Sequence, residues 1–347
     1  MTHHLSLADL GWQPFFQQQL SLEDWEHLIP ARIVERHRSE IEVLTESNLF
    51  SLAITHSMPD LTVGDWLLLS QDGSFVRALE RKSCFRRRAA GNKADEQLIA
   101  ANVDTAFIVC SLNDDFNLNR IERYLAVVNE AGAEPVIVLS KMDLCADPDS
   151  FKQQIHRIDP MLSVELVNGL DIHSVDSLKS WCGKGKSVVL LGSSGTGKST
   201  ITNSLLEEER QQTGGIRMSD DKGRHTTTRR SLLPIANGGL LIDTPGMREI
   251  QLTNCQEGIA STFAEIEALA QNCRFSDCSH SGEPGCYVTH SIQLGELSQR
   301  RLDNYQKLSR EQAYNSASLA ERRAKDRELG RFYKRIQRKS KINKRGE

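Results

Sequence analysis

Hydrophobic positions change their rhythm three times along this chain. From Pro30 they come in short alternating runs between polar turns. Ile33 and Val34, Ile41 and Val43, Leu49 to Ile54, Val63 to Leu69 and Phe75 to Leu79 each predict a strand. That many short strands within about 60 residues predict a small β-barrel. From Asp104 compact apolar runs at Thr105 to Cys110, Pro135 to Leu139, Ser187 to Leu191 and Gly239 to Ile242 alternate with helical patterns. One such pattern is Asn119 to Glu130, with Ile121, Tyr124, Leu125 and Val128 on one face. Strands alternating with helices imply a parallel sheet. After Gln251 the strand signal stops, Ile259 to Ala270 predicts a helix, and a mostly helical stretch begins near Gly295.

The pattern therefore predicts a multidomain chain. Its parts are an arm over 1–27, an OB-like β-barrel with a basic linker over 28–98, an α/β domain over 99–255, a helical domain over 256–320 and a basic tail over 321–347. In the arm, Trp12, Phe15 and Phe16 are available to dock on something. The run from Arg81 through Arg86, Arg87 and Arg88 to Lys93 suits either a solvated linker or the basic edge of an oligonucleotide-binding fold. The tail holds twelve Lys and Arg against four acids, so a net charge of −3 conceals a polarised chain.

Composition sharpens this picture modestly. A length of 347 residues exceeds one ordinary core, and 39% hydrophobic with 26% charged residues describes a soluble protein. No apolar run approaches the roughly 20 residues of a membrane helix, so no membrane partner is expected. The N-terminus lacks a signal-peptide pattern, which makes the cytoplasm the expected compartment. Five of the eight cysteines are scattered, but Cys273, Cys278 and Cys286 cluster beside His280.

Chemistry enters with Gly192-Ser193-Ser194-Gly195-Thr196-Gly197-Lys198-Ser199, a match to G-x-x-x-x-G-K-[ST] that follows a strand and opens a helix at Thr200. Small residues let backbone N–H groups wrap phosphates, the lysine reaches the terminal phosphates and the serine hydroxyl binds Mg²⁺. Ser140-Lys141-Met142-Asp143 is a guanine-reading candidate in which Asp143 accepts from the base and the Lys141 stem packs on it. Ser140 stands where Asn is usual, so the brace on the loop is shorter. Asn168-Gly169 occupies the place of the usual Ser-Ala pair and keeps a backbone donor. Asp243 in Asp243-Thr244-Pro245-Gly246 would hold Mg²⁺ through water, and the Gly246 N–H would sense the γ-phosphate. In His225-Thr226-Thr227-Thr228, Thr226 or Thr227 would complete the Mg²⁺ shell. Met247 follows the glycine where many GTPases place a water-orienting Gln. His225 is the nearest substitute, and it could equally just stabilise its loop. A GTPase normally meets its phosphate loop first and its guanine motif last; here the guanine motif comes first, a circularly permuted order. The Ser140, Gly192 and Asp243 motifs each follow a strand, so these three should converge at one sheet edge. Cys273-x4-Cys278-x-His280-x5-Cys286 is a closed Cys₃His set suited to one structural zinc ion.

Taken together, the motif order resembles the RsgA (YjeQ) family of circularly permuted GTPases. So do Gly223 to Thr228, Ile242 to Arg248, Cys273 to Cys286, Pro30-Ala31-Arg32 and Val63-Gly64-Asp65-Trp66. The resemblance covers about residues 28 to 310. The Ser140 and Asn168-Gly169 departures suggest a divergent or second-copy member. It implies a monomer with a barrel, a permuted GTPase domain and a zinc domain, GTP hydrolysis to GDP stimulated by the small ribosomal subunit, and contact with its rRNA. Two rival classes are an RNA-binding scaffold that holds GTP with little turnover, which Met247 permits, and a P-loop ATPase, which Asp143 opposes.

Overall fold

The computed structural model describes residues 5–88, 96–113, 115–206, 230–243 and 254–316. The N-terminal segment carries two short helices, α1 (Pro14–Gln17) and α2 (Leu22–His27), the second opened by a reciprocal Ser21–Asp24 capping box. Five antiparallel strands follow: β1 (Ile29–Arg36), β2 (Glu40–Leu44), β3 (Leu49–Ala53), β4 (Trp66–Leu69) and β5 (Phe75–Ala78), in spatial order β3-β2-β1-β4-β5. In β2 only Ile41 and Val43 are buried, as alternation requires of a sheet with one wet face. β4 is buried throughout because both its faces are covered. Leu67 and Leu69 join the barrel core, and Trp66 and Leu68 face the N-terminal segment. There the rings of Trp12 and Phe16 lie 4.8 and 5.8 Å from Trp66, so the aromatic arm has found its partner.

The basic stretch after β5 is no linker over its first half. Arg81 pairs with Asp65 at 2.7 Å, and β6 (Cys84–Arg88) forms a hairpin with β7 (Glu96–Ala101). The α/β region then runs β8 (Thr105–Ser111), α3 (Leu118–Ala131), β9 (Glu134–Ser140), α4 (Pro148–His156), β10 (Ser163–Val167), α5 (Ile172–Lys179), β11 (Ser187–Leu191), α6 (Lys198–Leu206), β12 (Arg230–Pro234) and β13 (Leu240–Asp243). Strands β10-β9-β8-β11-β13 are parallel neighbours in that order, and β12 lies antiparallel beside β13.

One sheet spans both parts. The first half of β1 pairs with β4, and past an irregularity at Ile33–Glu35 its last residues pair with β12, Glu35 opposite Ser231 and Arg36 opposite Arg230. Arg32 is buried at this junction. Its guanidinium donates to the carbonyls of Leu10, Gly64 and Asn102 and, at 2.8 Å, to the Ser187 hydroxyl. Burial without a contacting carboxylate pulls its pKa down to about 10.

The C-terminal part holds α7 (Gln256–Thr262), α8 (Ala264–Ala270), α9 (Tyr287–Gln293) and α10 (Gln299–Ser316). The single helix expected over Ile259 to Ala270 is broken at Phe263, which leaves helical geometry to bury its ring against Tyr305, 5.6 Å away, and beneath the Arg301 guanidinium. α7 lies tightly on α3: a side chain at Gly258 would place its first carbon 2.0 Å from the Ala126 carbonyl oxygen. Among the described residues no helix is long and apolar enough to cross a membrane.

Candidate functional site

The parallel strands deliver their motifs to one edge. Ser140 ends β9, Asn168 follows β10, Gly192 follows β11 and Asp243 ends β13. Gly192 adopts φ 142°, and a side chain there would meet the Val109 carbonyl at 2.3 Å, so the loop can leave β11 only through glycine. Gly195 and Gly197 also take positive φ, which turns the backbone between exposed Ser194 and the start of α6. Thr196 is buried, its hydroxyl donating to the Ser193 carbonyl at 3.0 Å. The Lys198 ammonium lies within its own loop, donating to the carbonyls of Gly192 (2.8 Å) and Ser193. Ser199 and Thr200 occupy the first turn of α6, half-buried.

The Ser140-Lys141-Met142-Asp143 turn meets this loop directly. Ser140 is buried and its hydroxyl donates to the Thr196 carbonyl at 2.6 Å, so the shorter side chain reaches the loop that it was expected to brace. Lys141 takes a left-handed conformation, φ 58°, which swings Met142–Leu144 into a single tight turn carrying exposed Asp143. Asn168 and Gly169 lie alongside: Ser204 of α6 donates to the Gly169 carbonyl at 3.3 Å, and Thr200 is the nearest side chain to Gly169. Sequence reasoning missed Ser174. Its hydroxyl accepts the Asn168 N–H at 2.7 Å and lies 3.9 Å from the Met142 sulfur, joining the Asn168-Gly169 segment to the Ser140–Asp143 turn. Arg120 was missed as well; from the first turn of α3 its guanidinium donates to the Ser193 hydroxyl at 2.9 Å. Neither belongs to a motif, and the signal for Arg120 lay only in its spacing from Tyr124 on the face turned toward the loop.

Asp243 ends β13 opposite Ser231 of β12. His225, Thr226, Thr227, Gly246 and Met247 lie outside the described residues.

A second centre stands in the C-terminal part. The ligand atoms of Cys273, Cys278, His280 and Cys286 all fall within 4.8 Å of one another. The His280 Nδ1 is 3.7 Å from the Cys273 sulfur and 3.5 Å from that of Cys286, and those two sulfurs are 4.0 Å apart. A tetrahedron with metal–sulfur bonds of about 2.3 Å and a metal–nitrogen bond of about 2.0 Å has edges of roughly 3.5–3.8 Å, so the donors fit a four-coordinate ion. The sulfurs are also supported. Tyr287 N–H points to Cys273 at 3.3 Å, and the Thr289 N–H and hydroxyl point to Cys286 at 3.4 and 3.2 Å. Burial works against a Cys286 thiolate, but the Thr289 bonds outweigh it and bring the thiol down to about 6. His280 reaches the cluster from a left-handed turn, φ 57°.

Comparison with known proteins agrees with the motif order. The family model described as RsgA GTPase matches residues 78–253. "Small ribosomal subunit biogenesis GTPase RsgA 2" of Vibrio parahaemolyticus is 57% identical over 330 residues, covering 95% of this chain and 92% of that protein. "Small ribosomal subunit biogenesis GTPase RsgA" of Mesorhizobium japonicum is 46% identical over 317 residues, covering 90% and 91%. Among solved structures, YjeQ from Thermotoga maritima superposes with a TM-score of 0.59 at 24% identity over 81% of this chain and 97% of that one. YloQ, described as a circularly permuted GTPase, gives 0.58 at 22% over 82% and 95%. With identity this high across nearly its whole length, the chain is a GTPase belonging to the RsgA family.

Proposed function

We propose that this protein binds the small ribosomal subunit in the cytoplasm as a monomer and hydrolyses GTP during late maturation of that subunit, its nucleotide state coupled through the switch region to the Cys/His domain. The observation that carries the reading is the Ser140–Thr196 bond, which locks a base-reading turn to a phosphate loop at one sheet edge. Relatives named for small-subunit biogenesis supply the biological setting. Lys198 would hold the β- and γ-phosphates and Asp143 the guanine, with Lys141, Met142 and the backbone at Asn168 and Gly169 enclosing the base. Ser199, Asp243 and Thr226 or Thr227 would hold Mg²⁺, while Gly246 senses the γ-phosphate and His225 orients the water. The metal of the Cys₃His set is zinc on this reading, since three thiolates and an imidazole suit it and leave no open position. The arm, barrel, GTPase domain, zinc domain and basic tail divide near residues 27, 98, 255 and 320; the barrel, zinc domain and tail carry the rRNA contacts, a phosphate-directed and salt-sensitive grip.

The deciding measurement is GTP turnover with and without small subunits. Stimulation is expected, together with its disappearance in Lys198→Ala. Turnover indifferent to subunits would sink the ribosomal reading, and unchanged hydrolysis in Lys198→Ala would remove the phosphate-loop assignment. Metal analysis should find one zinc per chain, lost in Cys278→Ser along with the stability of the C-terminal part.

A further inference from the structure

Helix α3 touches both the phosphate loop and the C-terminal helices, and it does so within two turns. At its start the Asn117 side chain accepts the Arg120 N–H, fixing the first turn. Arg120 pairs with Asp115 at 2.7 Å and donates to the Ser193 hydroxyl at 2.9 Å. Tyr124 lies one turn further along the same helix. The Ser193 carbonyl in turn accepts from the Lys198 ammonium. A guanidinium and an ammonium therefore grip the two ends of one residue.

The next residues along α3 face α10. Glu122 is fully buried and accepts from Arg300 (2.7 Å), Arg301 (2.9 Å) and Asn304. Arg300 also donates to the Asn119 side chain, and Arg123 makes a two-pronged pair with Glu311. α10 reaches the metal loop through Gln306, which donates to the Ser279 carbonyl at 3.0 Å. A neutral bond from the Cys/His loop to α10, charge-assisted bonds from α10 to α3, and the Arg120 bond to Ser193 are thus joined through the backbones of α10 and α3.

We propose that Arg120 is a positioning residue of the phosphate site: a latch through which α3, held by the α10 clasp, sets Ser193 and with it the Lys198 ammonium. This rests on reading Gly192 to Ser199 as the phosphate loop. Because that ammonium serves the β- and γ-phosphates, the latch acts on GTP turnover more than on GDP binding. A mere structural brace would affect both nucleotides and the melting temperature alike.

The test uses the full-length protein. Turnover, GTP and GDP affinities and Tm are measured for Arg120→Ala, Arg120→Lys, Ser193→Ala and the Arg120→Ala/Ser193→Ala pair. Each alanine variant should lose about tenfold in kcat, the size of one charge-assisted bond, with GDP affinity within about twofold and Tm held. The pair should be no worse than either single change, and Arg120→Lys or added guanidinium ion should partly restore the Arg120 loss. Lys198→Ala is the control; if it turns over normally, the loop reading fails, whereas a silent Arg120→Ala beside a dead Lys198→Ala overturns the latch alone. Equal loss of GTP and GDP affinity with a fallen Tm also overturns it. For the α10 half of the proposal, Glu311→Gln loosens the clasp far from the nucleotide. Its effect on kcat should vanish in the Arg120→Ala background; additive effects would remove α10 from the device.

Discussion

The two junctions flanking the α/β region are built on opposite principles. Toward the barrel the chain uses a shared β-sheet and one buried cation, Arg32, satisfied by three carbonyls and a hydroxyl. Toward the Cys/His part it uses packed helices and one buried anion, Glu122, satisfied by two arginines and an amide. The acceptors at the first site are three backbone carbonyls in tight turns and one short hydroxyl on β11, none of them a long mobile side chain, so the geometry has little freedom. At the second, Arg300 remains about one-third exposed and Arg301 also reaches Glu265, so the donors have alternative partners. A junction of ladder bonds and dipoles resists rearrangement; one laced with long charged side chains can shift among near-equivalent pairings. The first reads as a fixed mount and the second as an adjustable one.

Breaking the mounts should separate them. Arg32→Met leaves four acceptors facing an apolar side chain and should cost about 3–5 kcal/mol by denaturant unfolding, the largest effect expected here. Glu122→Gln leaves Arg301 with Glu265 as its remaining carboxylate and should cost about 2–4 kcal/mol, with protease sensitivity rising first in the C-terminal helices. If Arg32→Met proved the milder of the two, the barrel junction would not be the more rigid mount.

Acid sharpens the contrast through Asp104. Burial penalises its carboxylate, but the Ser187 N–H, Gln13 and Lys82 outweigh that and hold its pKa below the usual carboxylate range. A depressed folded-state pKa contributes stability above the unfolded value and loses it as pH falls through the folded one. The barrel junction should therefore weaken below about pH 4, and Asp104→Asn should flatten that slope in urea unfolding followed across pH. The smallest effect belongs to Glu311→Gln, whose pair with Arg123, a little over a quarter exposed, should cost under about 1 kcal/mol and lose most of that in high salt.

The elements that alternation and motifs specify were readable in the sequence because they are local. β2 shows its buried pair two residues apart, and Ser140, Gly192 and Asp243 sit where β9, β11 and β13 end. What escaped depends on partners far along the chain. Arg86 and Arg87 look like linker until residues 96–101 arrive to pair with them. Phe263 breaks a helix whose local pattern is continuous, because a ring 42 residues later offers burial. Ser140 looks too short for its task, yet β9 ends close enough to the loop for its hydroxyl to reach the Thr196 carbonyl at 2.6 Å. Arg120 lies outside every nucleotide motif, and only the placement of α3 against Ser193 gives it a task.

The seam between β1 and β12 has a bearing on how the chain is born. Glu35 and Ser231 are paired across roughly 200 residues, and closing so long a span costs only modestly more than closing a short one but is slow to find. During synthesis β8, β9 and β10 emerge together and can assemble at once, whereas β1, paired early with β2, must wait with its other edge at Glu35 and Arg36 open until β12 leaves the translating machinery. For that interval the nascent chain displays an open strand edge, the kind of surface through which two unfinished copies pair with each other instead of with themselves.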